Sequence, residues 1–147
     1  MENKEKKLEE LEKIKEEVIR FYQKSREMLN KSPIDEELNS YEDIRYVRVA
    51  YRLLWVAILK VLDYAFLSTG KIGKEELPKN EDEYMDYINR NPFSEDAQLL
   101  KKLFETFYKG INIAGYSMGL KEGKEEIDSD FRLAEKFIYR LGIKIEK

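Results

Sequence analysis

The sequence predicts an all-α protein, an antiparallel bundle of four long helices and one short helix. Two observations lead to this fold class. Apolar residues recur at steps of three and four along the chain, which is the period of an α-helix. The breaks between these stretches carry glycine or proline, and no stretch shows the alternation of a β-strand. The 147 residues fit one domain, residues 1–147, around a single core.

The first predicted helix runs from about Asn3 to Asn30, and Pro33 follows its end. Its apolar face comprises Leu8, Leu11, Ile14, Val18, Tyr22 and Leu29. Residues 32–39 are predicted to form a loop with room for a short helical turn. Ser40 is the predicted N-cap of the second helix, because acidic residues that complement the helix dipole follow it. That second helix is expected to end near Gly70.

The second helix contains the most apolar stretch of the chain, Tyr46–Leu67. Nearly its whole circumference is apolar, so other helices or a second copy must enclose it. A narrow polar sector contains its charged residues, which are Arg45, Arg48, Arg52, Lys60 and Asp63. Lys60 and Asp63 stand three residues apart, and we expect each to satisfy the charge of the other. These charges and the short length argue against a membrane span.

The third and fifth predicted helices have clear end signals. Asn80 and Glu83 have the spacing of a capping box and predict a short helix over Glu81–Asn89. The fifth helix begins after Gly123 and ends at Gly142, a residue type suited to the position after a helix. Its apolar positions are Ile127, Phe131, Ala134, Ile138 and Leu141.

The fourth predicted helix is the second core helix, with Ser94 as its N-cap. Its apolar stripe consists of Leu100, Leu103, Phe104, Phe107, Ile111, Ala114 and Met118. Gly110, Gly115 and Gly119 interrupt it, and a glycine inside a helix costs about 1 kcal/mol relative to alanine. The compensation is either the close approach of another helix, near Trp55, or room for a ligand.

The composition excludes several kinds of site. There is no cysteine, which excludes disulfides, thiolate metal sites and cysteine nucleophiles, and no histidine, the commonest general base and transition-metal ligand. The net charge of −3 gives no electrostatic reason to expect general nucleic-acid binding. The N-terminal residues lack the apolar region of a signal peptide, so we expect a cytoplasmic protein. No phosphate-binding loop is present, and we expect no cofactor.

The arginine stripe of the second helix is the more specific of two candidate sites. Arg45, Arg48 and Arg52 share one sector, and a guanidinium donates two parallel hydrogen bonds to a phosphate or a carboxylate. The stripe therefore predicts a site for a phosphate-bearing ligand or an acidic partner. The interpretation that we favour is structural, with the arginines paired to Glu or Asp of neighbouring helices.

A second candidate site is acidic. Glu9 and Glu12 on the first helix, and Glu83 and Asp86 on the short helix, have the i,i+3 spacing by which all-α nucleotide pyrophosphohydrolases of the MazG type hold Mg²⁺. Such spacings also arise by chance in a chain with 30 acidic residues. The sequence leaves a Mg²⁺-dependent nucleotide pyrophosphohydrolase open as an alternative function.

Two stretches of the chain resemble a known family. They are YVRVAYRLLWVAILKVLD, which begins at Tyr46, and YSMGLKEG, which begins at Tyr116. With the closing helix, they resemble small bacterial helical proteins that form a domain of unknown function, and these look like distant relatives of the HEPN superfamily. Leu62-Asp63 and Ser117-Met118-Gly119 are the most specific pieces.

The resemblance implies an antiparallel bundle, frequently dimeric, in a superfamily that includes ribonuclease toxins and the substrate-binding partners of minimal nucleotidyltransferases. The ribonucleases need a histidine, which this chain lacks, so that activity does not carry over. The leading prediction is a non-catalytic interaction or substrate-binding module. Its partners would be a second copy, with Trp55, Tyr51 or the Gly115/Gly119 surface buried in the interface, and a protein such as a nucleotidyltransferase.

Overall fold

The computed structural model describes residues 2–90 and 97–145, and most of these residues are helical, which confirms the all-α class. The β-structure is confined to a small hairpin of two strands with two residues each. The elements in chain order are α1 (Glu2–Asn30), β1 (Ile34–Asp35), β2 (Ser40–Tyr41), α2 (Ile44–Ser68), a 3₁₀ turn (Lys74–Glu76), α3 (Glu81–Arg90), α4 (Ala97–Phe107), a π-helix (Tyr108–Ser117) and α5 (Lys124–Arg140).

Helix α2 lies at the centre of the fold, as its apolar run predicts. Its side chains form the middle of the core, and the aromatic rings of Tyr51, Trp55 and Phe66 are fully buried. The ring of Trp55 packs against Phe104 and Tyr108, with centroids 5.7 and 6.0 Å apart. None of the described helices has both the length and the apolar character that a membrane crossing needs.

Helix α1 runs antiparallel along α2. Glu17 forms an ion pair with Lys60 at 2.7 Å, and near the other end of the contact Lys7 lies beside Gly70. Residue numbers therefore fall along α1 as they rise along α2. On the predicted apolar face of α1, burial increases along the helix: Leu8 is 59% exposed, Leu11 and Ile14 are half-buried, and Val18, Tyr22 and Leu29 are buried.

The start of α2 differs from the prediction. Ser40 is not the N-cap but lies in β2, opposite Asp35 of β1 in an antiparallel pair. Helix α2 begins at Ile44, and Asp43 is its N-cap, since its Oδ1 accepts a hydrogen bond from the Arg45 amide at 3.0 Å. Both residue types suit an N-cap, and the pairing of β1 with β2 decided between them.

The small hairpin is held by residues at the start of α5 and just before it. The Tyr41 amide donates to the Glu122 carbonyl at 2.8 Å, and the Lys124 amide donates to the Asn39 carbonyl at 2.9 Å. Asn39 has a φ of +51°, which closes the turn of the hairpin. The contacts join segments far apart in sequence, so no local pattern could predict them.

The fourth predicted helix has two parts. Its predicted N-cap, Ser94, lies outside the described residues. The helix is α-helical up to Phe107 and then continues as the π-helix, in which the Met118 amide donates to the carbonyl of Ile113, five residues earlier. The expectation of a uniform α-helix was therefore wrong in its second half.

The glycines of this segment have different surroundings. A Cβ on Gly115 would lie 2.4 Å from Cδ1 of Tyr51, so the backbone of the π-helix packs directly on that ring. The predicted close approach is thus present, although the neighbour is Tyr51 and not Trp55. A Cβ on Gly110 would meet no atom within 4 Å.

The expected pairing of Lys60 with Asp63 is wrong. Lys60 reaches across to Glu17 on α1, whereas Asp63 accepts a hydrogen bond from the Tyr84 hydroxyl at 2.7 Å. The two side chains serve different interfaces, because α1 lies over one and α3 over the other. Burial raises the pKa of the Asp63 carboxyl to about 6, against the opposing effects of the Tyr84 hydrogen bond and of Lys60.

Other predicted helix ends are confirmed. Helix α3 begins at Glu81, and the amide of Glu83 donates to the Asn80 side chain at 2.9 Å, as the capping-box spacing predicts. Helix α5 follows Gly123, and Gly142 just after its end has a φ of +108°.

Candidate functional site

The candidate site lies where the π-helix packs antiparallel on α2. Three residues in or just after the π-helix each lie against one residue of α2. The pairs are Gly115 with Tyr51, Tyr116 with Arg52, and Gly119 with Arg48. The absent side chain at Gly115 brings the two backbones close together. This close packing places two of the three predicted arginines beside the end of the π-helix.

Arg48 binds the C-terminal end of the π-helix. Its Nε donates to the Tyr116 carbonyl at 2.8 Å, and its Nη2 donates to the Ser117 carbonyl at 3.2 Å. The last carbonyls of a helix have no partner inside the helix, and a cation there also complements the helix dipole. Gly119, with a φ of +62°, keeps the chain clear of the arginine, because a Cβ would lie 3.0 Å from its Cδ. The side chain remains exposed to solvent.

Arg52 and Arg45 have different surroundings. The guanidinium carbon of Arg52 lies 5.3 Å from the centroid of the Tyr116 ring, a cation–π distance. Arg45 turns back to the N-cap and forms an ion pair with Asp43 at 2.8 Å, and hydrogen bonds from Arg45 hold the pKa of the Asp43 carboxyl below its usual range.

The partners that the structural interpretation expects, Glu or Asp of neighbouring helices, are not found among the described residues, although Arg48 makes a structural contact of another kind. Arg45 pairs within its own helix cap, Arg48 binds backbone carbonyls, and Arg52 faces a ring. Within residues 2–90 and 97–145, neither Arg48 nor Arg52 forms an ion pair with a carboxylate. Their charge is therefore not neutralised by the described part of the chain.

Exposed apolar side chains lie next to these two arginines. Met118 and Leu120 directly follow the π-helix and are 61% and 63% exposed. Leu120 is held in place by its amide, which donates to the Ala114 carbonyl at 2.8 Å. We call the surface made by Arg48, Arg52, Tyr116, Met118 and Leu120 the arginine face.

Two of the four acidic residues of the second candidate site contact neighbours on or next to their own helix. Glu83 accepts a hydrogen bond from the Asn80 side chain at 2.8 Å, and Asp86 pairs with Arg90 at 2.9 Å. Glu9 and Glu12 are exposed on α1. Among the described residues no three acidic side chains are grouped so that they could hold a metal ion. The structure thus adds no support to the Mg²⁺ site, which stays a prediction.

The sequence analysis missed a set of buried tyrosines that tie the helices together. Among the described residues, four tyrosine hydroxyls donate to carboxylates on other elements, at 2.6 to 3.3 Å. The pairs are Tyr22 with Glu135, Tyr41 with Asp128, Tyr51 with Asp130, and Tyr84 with Asp63. A tyrosine on an apolar helix face predicts a buried hydroxyl that forms a hydrogen bond. A single sequence does not show which carboxylate accepts that bond.

These pairs leave the tyrosines protonated at all ordinary pH values. Burial, followed by the nearby carboxylates, raises the pKa of Tyr22 and Tyr41 to about 12. The same causes raise the pKa of Tyr51 and Tyr84 further. Each tyrosine hydroxyl is therefore a permanent donor with a structural role.

Comparison with known proteins places the chain in a family. Residues 13–142 match a family described as Domain of unknown function (DUF5618). The chain belongs to the DUF5618 family. The match covers α2, the π-helix and α5, which confirms the predicted membership of a family of unknown function. Among curated proteins, none matches the chain.

The fold of this DUF5618 domain also occurs in a solved structure. A protein of unknown function from Dyadobacter fermentans is 20% identical in sequence, with a TM-score of 0.66. The match covers 88% of this chain and 94% of that chain. At this identity the similarity concerns the fold alone.

Proposed function

We propose that this DUF5618 domain is a non-catalytic binding module, HEPN-like in type, that docks an acidic protein partner on the arginine face. The observation that supports the proposal is the state of Arg48 and Arg52. Both guanidinium groups are held in place at the surface, and among the described residues neither has a carboxylate partner. A partner that brings carboxylates would supply what these arginines lack.

The contacts of the two arginines leave donors free for a partner. Arg48 uses Nε and Nη2 on the end of the π-helix, so its other guanidinium hydrogens remain. Arg52 lies over the Tyr116 ring, which restricts the side chain while its N–H groups stay available. Positioning of this kind lowers the entropy cost of binding, and arginine is enriched among residues that dominate interface energies.

The apolar part of the arginine face indicates the rest of the partner's chemistry. Met118 and Leu120 are exposed by more than half, and the flexible Met side chain adapts to varied surfaces. The partner segment we propose therefore carries carboxylates beside apolar residues. The HEPN resemblance suggests a class of protein for this partner, a minimal nucleotidyltransferase.

A double substitution tests the proposal. We expect Arg48→Gln with Arg52→Gln to weaken binding of a minimal nucleotidyltransferase from the same organism by about tenfold or more in calorimetric titration, since charge-assisted bidentate bonds would be lost. The free energy of unfolding should fall by only about 1–2 kcal/mol, because both side chains are exposed. Lys13→Gln with Lys102→Gln removes the same charge elsewhere and should leave binding unchanged. Equal binding by both double variants would refute the proposed surface.

The hydrolase alternative is separated by a direct assay. With nucleoside triphosphates and Mg²⁺, a binding module should release no pyrophosphate above background. Release that is lost in Glu83→Gln but kept in the arginine double variant would establish the acidic set as a catalytic site and overturn the proposal.

A further inference from the structure

A groove runs along the outer face of α5, between α1, the hairpin and the end of the chain. It consists of two adjoining cavities of about 340 and 430 Å³, and both are lined by Arg132 and Glu135. We call it the α5 groove. Its other lining residues are Arg26, Asn30, Ile34, Tyr41, Lys124 and Asp128 at one end, and Lys136, Tyr139, Lys144 and Ile145 at the other. It shares no lining residue with the arginine face.

The two carboxylates of the α5 groove are engaged by the protein itself. Asp128 accepts hydrogen bonds from the Tyr41 hydroxyl at 3.3 Å and from Lys124 Nζ at 2.8 Å. Glu135 accepts one from the Tyr22 hydroxyl at 3.3 Å. The tyrosine hydroxyls that donate to them are neutral, so both carboxylates keep their negative charge. They offset two of the five cations that line the groove, which are Arg26, Lys124, Arg132, Lys136 and Lys144.

The remaining cations give the groove a positive character. Arg132, Lys136 and Lys144 form no ion pair with the described residues, and Arg26 lies over the Phe131 ring at 5.6 Å. The protein as a whole carries a net charge of −3, so this positive surface is local. A long polyanion would also meet the acidic remainder of the protein, whereas a short anion would contact the groove alone.

One end of the groove offers a flat apolar surface. Tyr139 is 67% exposed and lines the larger cavity together with Ile145, which is almost fully buried. An exposed aromatic ring beside cations is suited to stack with a flat ring that carries negative charge. The groove spans about 16 Å along α5 between Asp128 and Tyr139, at about 1.5 Å per residue.

We propose that the α5 groove binds a small, elongated organic anion, with a flat ring on Tyr139 and two or more negative charges on Arg132, Lys136 and Lys144. The cavity volumes lie in the range of small-ligand pockets, about 300–1,000 Å³. Nucleoside phosphates and sugar-free aromatic phosphates share this chemistry. The proposal does not depend on the arginine face or on any protein partner.

Calorimetric titration of the whole chain with four probes tests the proposal. ATP and 1-naphthyl phosphate represent the two sources of a ringed anion, tripolyphosphate has charge without a ring, and adenosine has a ring without charge. We expect at least one ringed anion to bind about tenfold more tightly than both partial probes. The better of ATP and 1-naphthyl phosphate then identifies the source.

Two substitutions locate the site. Arg132→Gln should weaken binding of the ringed anion and of tripolyphosphate by about tenfold, whereas Tyr139→Ala should weaken only the ringed anion. The side chains of Arg132 and Tyr139 are exposed, so both variants should have the melting temperature of the original protein. If Arg132→Gln does not fold, Lys136→Gln tests the same loss of positive charge. The arginine-face double variant and Lys102→Gln are controls that should bind normally.

Several outcomes would overturn the proposal. They are no binding of either ringed anion at about 1 mM, equal affinity for tripolyphosphate, and unchanged binding in Arg132→Gln and Lys136→Gln. Loss of binding in the arginine-face double variant alone would place the site on the other surface. Tighter binding of an RNA of about 20 nucleotides than of ATP would show an extended nucleic-acid surface instead.

Discussion

Gly115 shows how a single missing side chain fixes the contact between two helices. The ring of Tyr51 occupies the space where a Cβ would lie, and that ring is itself fully buried between Gly115 and the Phe131 ring, whose centroid is 5.9 Å away. Neither neighbour has room to move, because protein interiors are close-packed.

We predict that Gly115→Ala destabilises the protein by about 2–4 kcal/mol, since overpacking in a rigid core is costly. Gly110→Ala is the matched control in the same helix, with open space at its Cβ, and should be neutral or stabilising by up to about 1 kcal/mol. Urea unfolding measures both. A larger loss for Gly110→Ala than for Gly115→Ala would contradict this account of the packing.

Asp63 makes stability depend on pH through its burial. Its pKa in the folded protein is about 6 and its ordinary value is 3.8, so the folded state binds the proton more tightly than the unfolded state. The stabilisation from its neutral form is complete below pH 3.8 and is lost as the pH rises through about 6. The charged groups near it are Lys60 and Glu17, and Tyr84 donates to it.

We predict that Asp63→Asn gains stability relative to the original protein as the pH rises from about 4 to about 7, by about 2 kcal/mol in total. The asparagine carbonyl can still accept the Tyr84 hydroxyl, so the contact with α3 is kept. Urea unfolding at several pH values measures the difference. A difference that does not change with pH would show that Asp63 titrates normally.

At the scale of elements, hydrogen bonds between tyrosines and carboxylates join helices that local patterns treat separately. The Tyr51 hydroxyl of α2 donates to Asp130 of α5 at 2.6 Å, and Lys121 lies 3.5 Å from the same carboxylate oxygen. Tyr22 and Tyr41 make the corresponding contacts from α1 and β2. These hydrogen bonds fix the rotation of α5 about its own axis. Packing of its apolar face alone would allow small rotations.

We predict that Tyr51→Phe destabilises the protein by about 1–2 kcal/mol, because the Asp130 carboxylate loses a donor while the packed ring remains. Tyr139→Phe removes an exposed hydroxyl and should change the free energy of unfolding by less than about 0.5 kcal/mol. Chemical denaturation compares the two. Equal effects would mean that the hydroxyl network adds nothing to stability.

At the scale of the whole molecule, the homodimer stays a prediction, but the residues that could form its interface are not the expected ones. Tyr51, Trp55 and Gly115 were expected in a two-fold interface, but a single chain already buries them. The apolar surface that remains for a second copy includes Leu38 at 75% exposure and Leu120 at 63%.

Light scattering at micromolar concentration should give about 35 kDa for a dimer, twice the 17.6 kDa of the chain. A mass of 17.6 kDa would contradict the dimer and leave the arginine face free for another partner. If Leu120→Glu turns the dimer into a monomer, the arginine face is an interface between copies, and the proposed acidic partner is wrong. Circular dichroism of the variant confirms that it still folds.

The sequence by itself determined the all-α class and most helix ends. Periodic apolar positions and local end signals such as Asn80, Gly123 and Gly142 act within a few residues, so one sequence contains them in full. For the same reason it identified α2 as the buried centre and grouped Arg48 and Arg52 on one side of it.

The tertiary structure alone decided which residues meet. Ser40 became a strand residue because β1 and the start of α5 bind it, Lys60 and Asp63 found separate partners, and the helix after Phe107 widened into a π-helix against Tyr51. Each outcome depends on groups far apart in the chain. The α5 groove likewise exists only where α1, the hairpin and α5 come together. The helical period of the sequence contains no information about how far apart these elements lie in the fold.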